Sequence, residues 1–295
     1  MRRVLITGAA GQVGTALARH AWPDDWQPLA LTRAELDLTN PAAIAAAVEH
    51  HRPAAVINAA AYTAVDRAES EPVLAWQVNA LAPAALAAAC RALDVPLVQV
   101  STDYVFDGCN AEAWQTDDPT VPLGVYGASK LGGEMAVRTG GIRHAIIRTA
   151  WVVSATGANF VKTMLRFAAE RPILRLVADQ RGSPTAAADV AGALATVAIR
   201  LVDDPTARSG IWHFANAGAT TWHGFATEII RQAALRGHSA PPVEAVTTAD
   251  FPTPARRPVN SLLDTGTLTR DWGIVPRPWQ DALSPILDDL IGPVA

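Results

Sequence analysis

A chain of 295 residues, half of them hydrophobic and 18% charged, has apolar material for one large domain or two modest ones, which excludes disorder along its length. A formal net charge of −4 without any Lys/Arg tract gives no footing for nucleic acid or an anionic membrane. Two cysteines, Cys90 and Cys109, are too few for a disulfide framework and lack metal-ligand spacing, so a reducing cytoplasm is the expected setting and no metal is expected.

The chain opens with MRRVLITGAAG, where two arginines precede an apolar run as in a secretory signal. That run is short and ends in a glycine loop, so it reads as a first strand. Further strands are expected at PLAL (28–31), AAVIN (54–58), PLVQVS (96–101) and HAIIRT (144–149). Helical patterns fill the gaps: GQVGTALARHA; PAAIAAAVEHH, with Thr39 or Asn40 as cap and Pro41 in its first turn; VLAWQVNALAPAALAAACRAL; and YGASKLGGEMAVR. Within the third, ALAPAALAAAC is interrupted by Pro83 and is too short to span a bilayer. Strands that are continuously hydrophobic, each followed by a helix, imply a parallel sheet covered on both faces. The expected fold is therefore α/β, a Rossmann-type doubly wound parallel sheet with a smaller C-terminal substrate-binding region. Residues 1–150 read as a dinucleotide-binding domain. Beyond them Pro and Gly punctuate RGSPT, APPVEA and DFPTPARRPVN, with helices expected at 159–171, 186–202, 222–236 and 278–291. Residues 151–295 read as mainly substrate-binding, with some chain crossing back to the first domain.

Directly after the first strand, TGAAGQVG spaces Gly8, Gly11 and Gly14 as G-x-x-G-x-x-G. Such glycines permit a tight turn, close approach to a pyrophosphate and close helix–strand packing, and the following helix aims free N–H groups at the phosphates. The end of the second strand decides ribose recognition: an acid there accepts from the 2′-OH of NAD, whereas an arginine accommodates the 2′-phosphate of NADP. Here LALTRAELD puts Thr32 and Arg33 at that place and Glu35 slightly late, which leans towards NADPH, with NADH also admitted; a solvated surface arginine is the plain alternative. Asp37 and Leu38 follow in a step that can pass beside the adenine.

Tyr126 and Lys130 are four apart on one helix and so share a face. A free phenol ionises near pH ~10, and lowering that by three units requires about 4 kcal/mol of differential interaction, which a neighbouring ammonium can contribute. A tyrosine tuned in this way can exchange a proton with a carbonyl or alcohol near neutrality. Ser101 and Thr102, in VQVSTDYVFDG, end the fourth strand, where open parallel sheets place their ligands. Taken singly, each signal has a plain structural reading; they occur in order on the elements that such a site needs. In PARRPVNS, Arg256 and Arg257 sit on a proline-stiffened loop and suit diphosphate oxygens, or else are solvated. His213 and His223 read as packing or surface residues.

GQVG, NAAAYTAVDRAE, VNA, STDYVFDG, YGASKLGGE, RTAWV, NFVKTM, DQRGSPT, TWHGFA and PTPARRPVNS, in that order, resemble the extended short-chain dehydrogenases/reductases and, within them, the dTDP-4-dehydrorhamnose reductase family. That resemblance implies a catalytic set of Thr102, Tyr126 and Lys130, with Tyr126 as proton donor to a C4 ketone, Lys130 lowering its pKa and holding the nicotinamide ribose, and Thr102 polarising the carbonyl. It implies that Gln12, Val13 and Gly14 lie along the pyrophosphate, Asp37 and Leu38 near the adenine, Ala60, Ala61 and Thr63 against the cofactor, and Val100 beside the nicotinamide. Asp103 and Trp151 are implied to contact the sugar, Trp151 as an aromatic wall, and Asn79 resembles a helix-bending asparagine. The implied activity is NADPH-dependent reduction of dTDP-4-dehydro-β-L-rhamnose to dTDP-β-L-rhamnose. Alternatives are a ketoreductase for another nucleotide-linked 4-keto-6-deoxy sugar and a non-catalytic regulatory relative, the latter opposed by the complete Thr102/Tyr126/Lys130 set. In dimeric relatives a glutamate after GQVG helps to hold an intersubunit magnesium; here that position is Thr15, so a monomer or a dimer not bridged by metal is expected.

Overall fold

Successive residues of a strand point to opposite faces of its sheet, and in this protein both sets are apolar. Val4, Ile6, Ile57, Val98 and Ile147 face one side, where they meet Val190, Leu194 and Val197; their neighbours Leu5, Val56, Leu97 and Ile146 face the other, against Ile44, Leu86 and Val137. The computed structural model describes residues 1–294. Its central sheet has six parallel strands: β1 (Arg2–Thr7), β2 (Trp26–Leu31), β3 (Ala55–Asn58), β4 (Leu97–Thr102), β5 (His144–Thr149) and β6 (Gly210–His213), in the order β2-β1-β3-β4-β5-β6. This is the expected doubly wound sheet. The sixth strand comes from the later half of the chain, with Gly210 to His213 in register with Ala145 to Arg148.

Helices α1 (Gln12–Arg19), α2 (Pro41–His51), α3 (Pro72–Ala92) and α4 (Val125–Arg138) fall among the first five strands. Asn40, not Thr39, caps α2: its Oδ1 accepts from the amides of Ala42 and Ala43 at 3.1 and 3.2 Å. The helix α3 runs unbroken past Pro83 because a π-helical turn over Gln77–Leu81 precedes it. Helix α3 has 21 residues, and its most apolar 18-residue stretch, of mean hydropathy 1.5, is long and apolar enough to cross a membrane; half of that stretch is buried within the protein, as in a core helix. The later half supplies α5 (Phe160–Glu170), α6 (Ala187–Asp203), α7 (Trp222–Leu235) and α8 (Trp279–Ile291). Of these, α6 packs on the sheet beside α1, while α5, α7 and α8 enclose a second core around Val161, Met164, Phe225, Ile229 and Leu283.

Connections leave β1 for β2 on one side and β3 for β4 on the other. A crevice therefore opens at the carboxyl ends of β1 and β3, where the winding changes direction.

Candidate active site

Close backbone contact at that switch point dictates the glycines. Gly8 has φ +74°, and a Cβ on it would lie 2.7 Å from the Cα of Ala60 in the loop after β3. A Cβ on Gly14 would lie 2.1 Å from the carbonyl oxygen of Gly8, so α1 begins hard against the loop. The amino end of α1 faces a cavity of about 680 Å³ that runs from the glycine loop past Arg33, Asp37 and Leu38, then Ala60, Ala61 and Thr63, to Val100, Thr102, Asp103, Tyr126, Lys130 and Trp151. Gly8, Gly11, Gln12 and Val13 line it as well; Gly14 does not, being buried behind the loop.

The late acid Glu35 is turned away from the cavity and accepts from both the amide and the hydroxyl of Thr32 at 2.8 Å, bonds that hold its carboxyl below the usual range. Arg33 stands exposed at the rim. Asp37 is likewise engaged locally, accepting from the amide and hydroxyl of Thr39.

At the other end of the cavity, α4 presents Tyr126 and Lys130 on one face. Glu69, distant in sequence, supplies the cap that the helix lacks, its Oε1 accepting from the Val125 amide at 2.8 Å. The Lys130 ammonium donates to the Val100 carbonyl at 2.6 Å, across the end of β4. Burial pulls Lys130 down to about 8, with Glu134 opposing that shift, and pushes Tyr126 up to about 12, with the Asp103 carboxylate adding to it and the Thr102 hydroxyl drawing it back. Desolvation dominates at the Tyr126 phenol, and the Lys130 ammonium is engaged by the Val100 carbonyl. At neutral pH the Tyr126 phenol is therefore held protonated.

Thr102 donates to Asp103 Oδ1 at 3.0 Å and accepts from the Tyr104 amide. Burial raises Asp103 to about 6; the Ser261 hydroxyl approaches and eases its charge without meeting hydrogen-bond geometry, so Oδ2 is left buried and unpaired. Trp151 has φ +49°, a left-handed conformation costing a bulky residue about 1–3 kcal/mol. Arg257, expected at the diphosphate, does not line the cavity: it forms two bonds to Asp66, at 2.6 and 2.7 Å. Asn79, at the π turn of α3, holds the Tyr62 amide at 2.8 Å and the Ser129 hydroxyl at 3.0 Å. The Thr15 hydroxyl donates to the Ala9 carbonyl at 3.0 Å, bracing the glycine loop. Among the described residues no group of three His, Cys, Asp or Glu side chains is placed to hold a metal ion.

Sequence reasoning missed what lies beneath the cavity. Arg148 on β5 and Glu134 on α4 are almost fully buried and form a two-pronged ion pair at 2.9 and 2.8 Å, with the Ser101 hydroxyl donating to Glu134 at 2.5 Å. The signal was present: Glu134 follows Lys130 by four residues, as Lys130 follows Tyr126. Arg148 also lies over the Phe106 ring and beside His213, which burial and that guanidinium hold neutral, down to about 3. His223 meets the Val243 carbonyl, a packing role.

A parallel sheet with a glycine loop at its switch point, and a Tyr–Lys helix beside the hydroxyls of a strand end, is the arrangement of an extended short-chain dehydrogenase/reductase, an oxidoreductase. The family described as RmlD substrate binding domain matches residues 1–291, and a dTDP-4-dehydrorhamnose reductase of Aggregatibacter actinomycetemcomitans is 42% identical over 97% of this chain and 98% of its own. The chain belongs to the dTDP-4-dehydrorhamnose reductase family. Among solved structures, the dTDP-4-dehydrorhamnose reductase of Clostridium acetobutylicum superimposes with a TM-score of 0.90 at 36% identity, covering 97% of this chain and 98% of that one. That of Bacillus anthracis, in complex with NADP, gives 0.89 at 35% identity, covering 97% and 99%.

Proposed function

We propose that this protein reduces the C4 ketone of dTDP-4-dehydro-β-L-rhamnose with NADPH, yielding dTDP-β-L-rhamnose, and that NADH serves as a second, weaker donor. The observation that carries this reading is one cavity with a glycine loop and Arg33 at one end and Tyr126, Thr102 and Lys130 at the other. The cavity fits a dinucleotide: the loop is too tight for any Cβ at Gly8 or Gly14, and the amino end of α1 is aimed into it with no acidic side chain in its first turn to repel phosphate.

When bound, NADPH supplies the reducing chemistry. Gly11, Gln12 and Val13 take the pyrophosphate, and the Arg33 guanidinium takes the 2′-phosphate. Thr102 orients the ketone oxygen towards Tyr126, which gives up its proton as negative charge develops there. Lys130, charged at neutral pH, steadies the resulting phenolate and holds the nicotinamide ribose. Asp103 and Trp151 meet the sugar, and Arg257 acts behind Asp66, away from the diphosphate. A cytoplasmic setting suits the two unpaired cysteines, Cys90 buried and Cys109 exposed.

The test is NADPH oxidation over a panel of dTDP-linked 4-keto-6-deoxy sugars, with the product's stereochemistry read by NMR. A kcat/KM for dTDP-4-dehydro-β-L-rhamnose below that for another 4-keto sugar would overturn the substrate assignment.

A further inference from the structure

Trp151 lines the cavity; Trp222, at the start of α7, does not. The two indoles are stacked, with centroids 3.6 Å apart and planes 11° from parallel, so Trp222 covers one whole face of Trp151. Gly182 covers the other. A Cβ on Gly182 would lie 2.4, 2.7 and 2.8 Å from Cε2, Cζ2 and Cδ2 of Trp151. Near-equal distances to three atoms around the ring fusion arise only above the plane of the ring, and the side at 3.6 Å is already filled by Trp222. The pairing that produces this is local: Thr220 and Thr221, just before Trp222, run antiparallel to Gly182 and Arg181. Trp222 is fixed in turn, its Nε1 donating to the buried Gln180 at 3.2 Å and its ring lying against Phe160. With both faces covered, Trp151 cannot lie flat beneath a sugar ring. Its remaining polar feature is the indole N–H, which donates to no group among the described residues and is not sealed from solvent.

We infer that Trp222 is a positioning residue, which together with Gly182 clamps Trp151 so that its N–H edge is what the nucleotide sugar meets. Trp151 is then a hydrogen-bond donor to a sugar oxygen, and the left-handed backbone at Trp151 is held by this clamp. The inference deepens the proposed function and rests on it.

The experiment compares Trp151→Phe, Trp222→Phe and Trp222→Ala in the full chain. Trp151→Phe keeps a flat ring and loses only the donor, so the KM for the nucleotide sugar is expected to rise about tenfold, the value of a typical hydrogen bond of about 1.4 kcal/mol. Trp222→Ala is expected to raise the same KM at least as much with the KM for NADPH within twofold of wild type, and Trp222→Phe to restore most of it. Far-ultraviolet circular dichroism should lose the exciton couplet of the stacked indoles in both Trp222 variants. A Trp151→Phe enzyme with wild-type KM overturns the donor role. A Trp222→Ala enzyme with wild-type KM, its couplet lost, overturns the clamp. A wild-type protein inert on every dTDP-4-keto sugar instead sinks the proposed function, and this inference with it.

Discussion

Tyr126 and Lys130 are displaced from their ordinary pKa values in opposite directions by one cause, burial at the end of β4. Tyr126→Phe should bind NADPH with unchanged affinity, measured by fluorescence titration, and lose about 100-fold to 10,000-fold in kcat, the usual value of a positioned proton donor. The phenol, pushed up to about 12, contributes no titration near neutrality; Lys130, near 8, does. The rate of reduction should therefore fall as pH rises through about 8, whereas thermal stability should shift the other way. Between about 8 and the ordinary lysine value the unfolded chain binds a proton that the folded chain lacks, so stability rises with pH across that window. A kcat profile and a melting series on the same buffers would expose any error in this pairing. Arg33→Ala should raise the KM for NADPH about tenfold, as loss of a charged hydrogen bond does, and leave that for NADH nearly unchanged. Equal effects on both would return Arg33 to a solvated role.

At the scale of elements, α4 is held against α3 by missing side chains. A Cβ on Gly133 would come 2.1 Å from the carbonyl oxygen of Asn79, a backbone atom that cannot move without dragging α3. On Gly132 it would come 2.7 Å from the Trp76 ring, which is 43% exposed and can turn. Gly133→Ala should therefore cost about 1–3 kcal/mol in urea unfolding, and Gly132→Ala much less. The five leading strands and the four later helices were legible because apolar runs and helical periods are local properties of a sequence. Grouping Thr102, Tyr126 and Lys130 at one cavity was legible for a related reason, since chain order fixes which strand and helix ends lie together in a doubly wound sheet. The Arg148–Glu134 pair and the Trp151–Trp222 stack were not, because their partners meet only once the sheet and both lobes have assembled. The Arg257–Asp66 pair was hidden for the same reason: nothing local in PARRPVNS announces that Asp66 waits for it.

Over the whole molecule, the two halves are joined at the cavity itself. Gln12, first in α1, donates to the Val152 carbonyl, and its Oε1 accepts from Ser154 at 2.9 Å and Asn159 at 3.0 Å. With Thr15 committed to the glycine loop, a magnesium bridge has no carboxylate at that position, so EDTA should change neither activity nor hydrodynamic mass on a sizing column. Dissociation by EDTA and recovery with magnesium would refute this. Strand β6 escaped sequence reading because GIWH is four residues long, opens on glycine and follows a polar loop, leaving no hydrophobic run to see.

That short strand sets a timetable for synthesis. All six residues of β5 are buried in the finished protein, and one edge of β5 is covered only by β6, more than 60 positions later. While residues 150 to 209 are being made, the emerging chain carries a strand with the apolar run Ala145, Ile146 and Ile147 and a bare row of amides and carbonyls, the kind of edge that recruits other chains. At about 5–20 residues per second that exposure lasts several seconds. The hazard of misassembly is thus greatest before the first half can close, and it ends when His213 clears the ribosome.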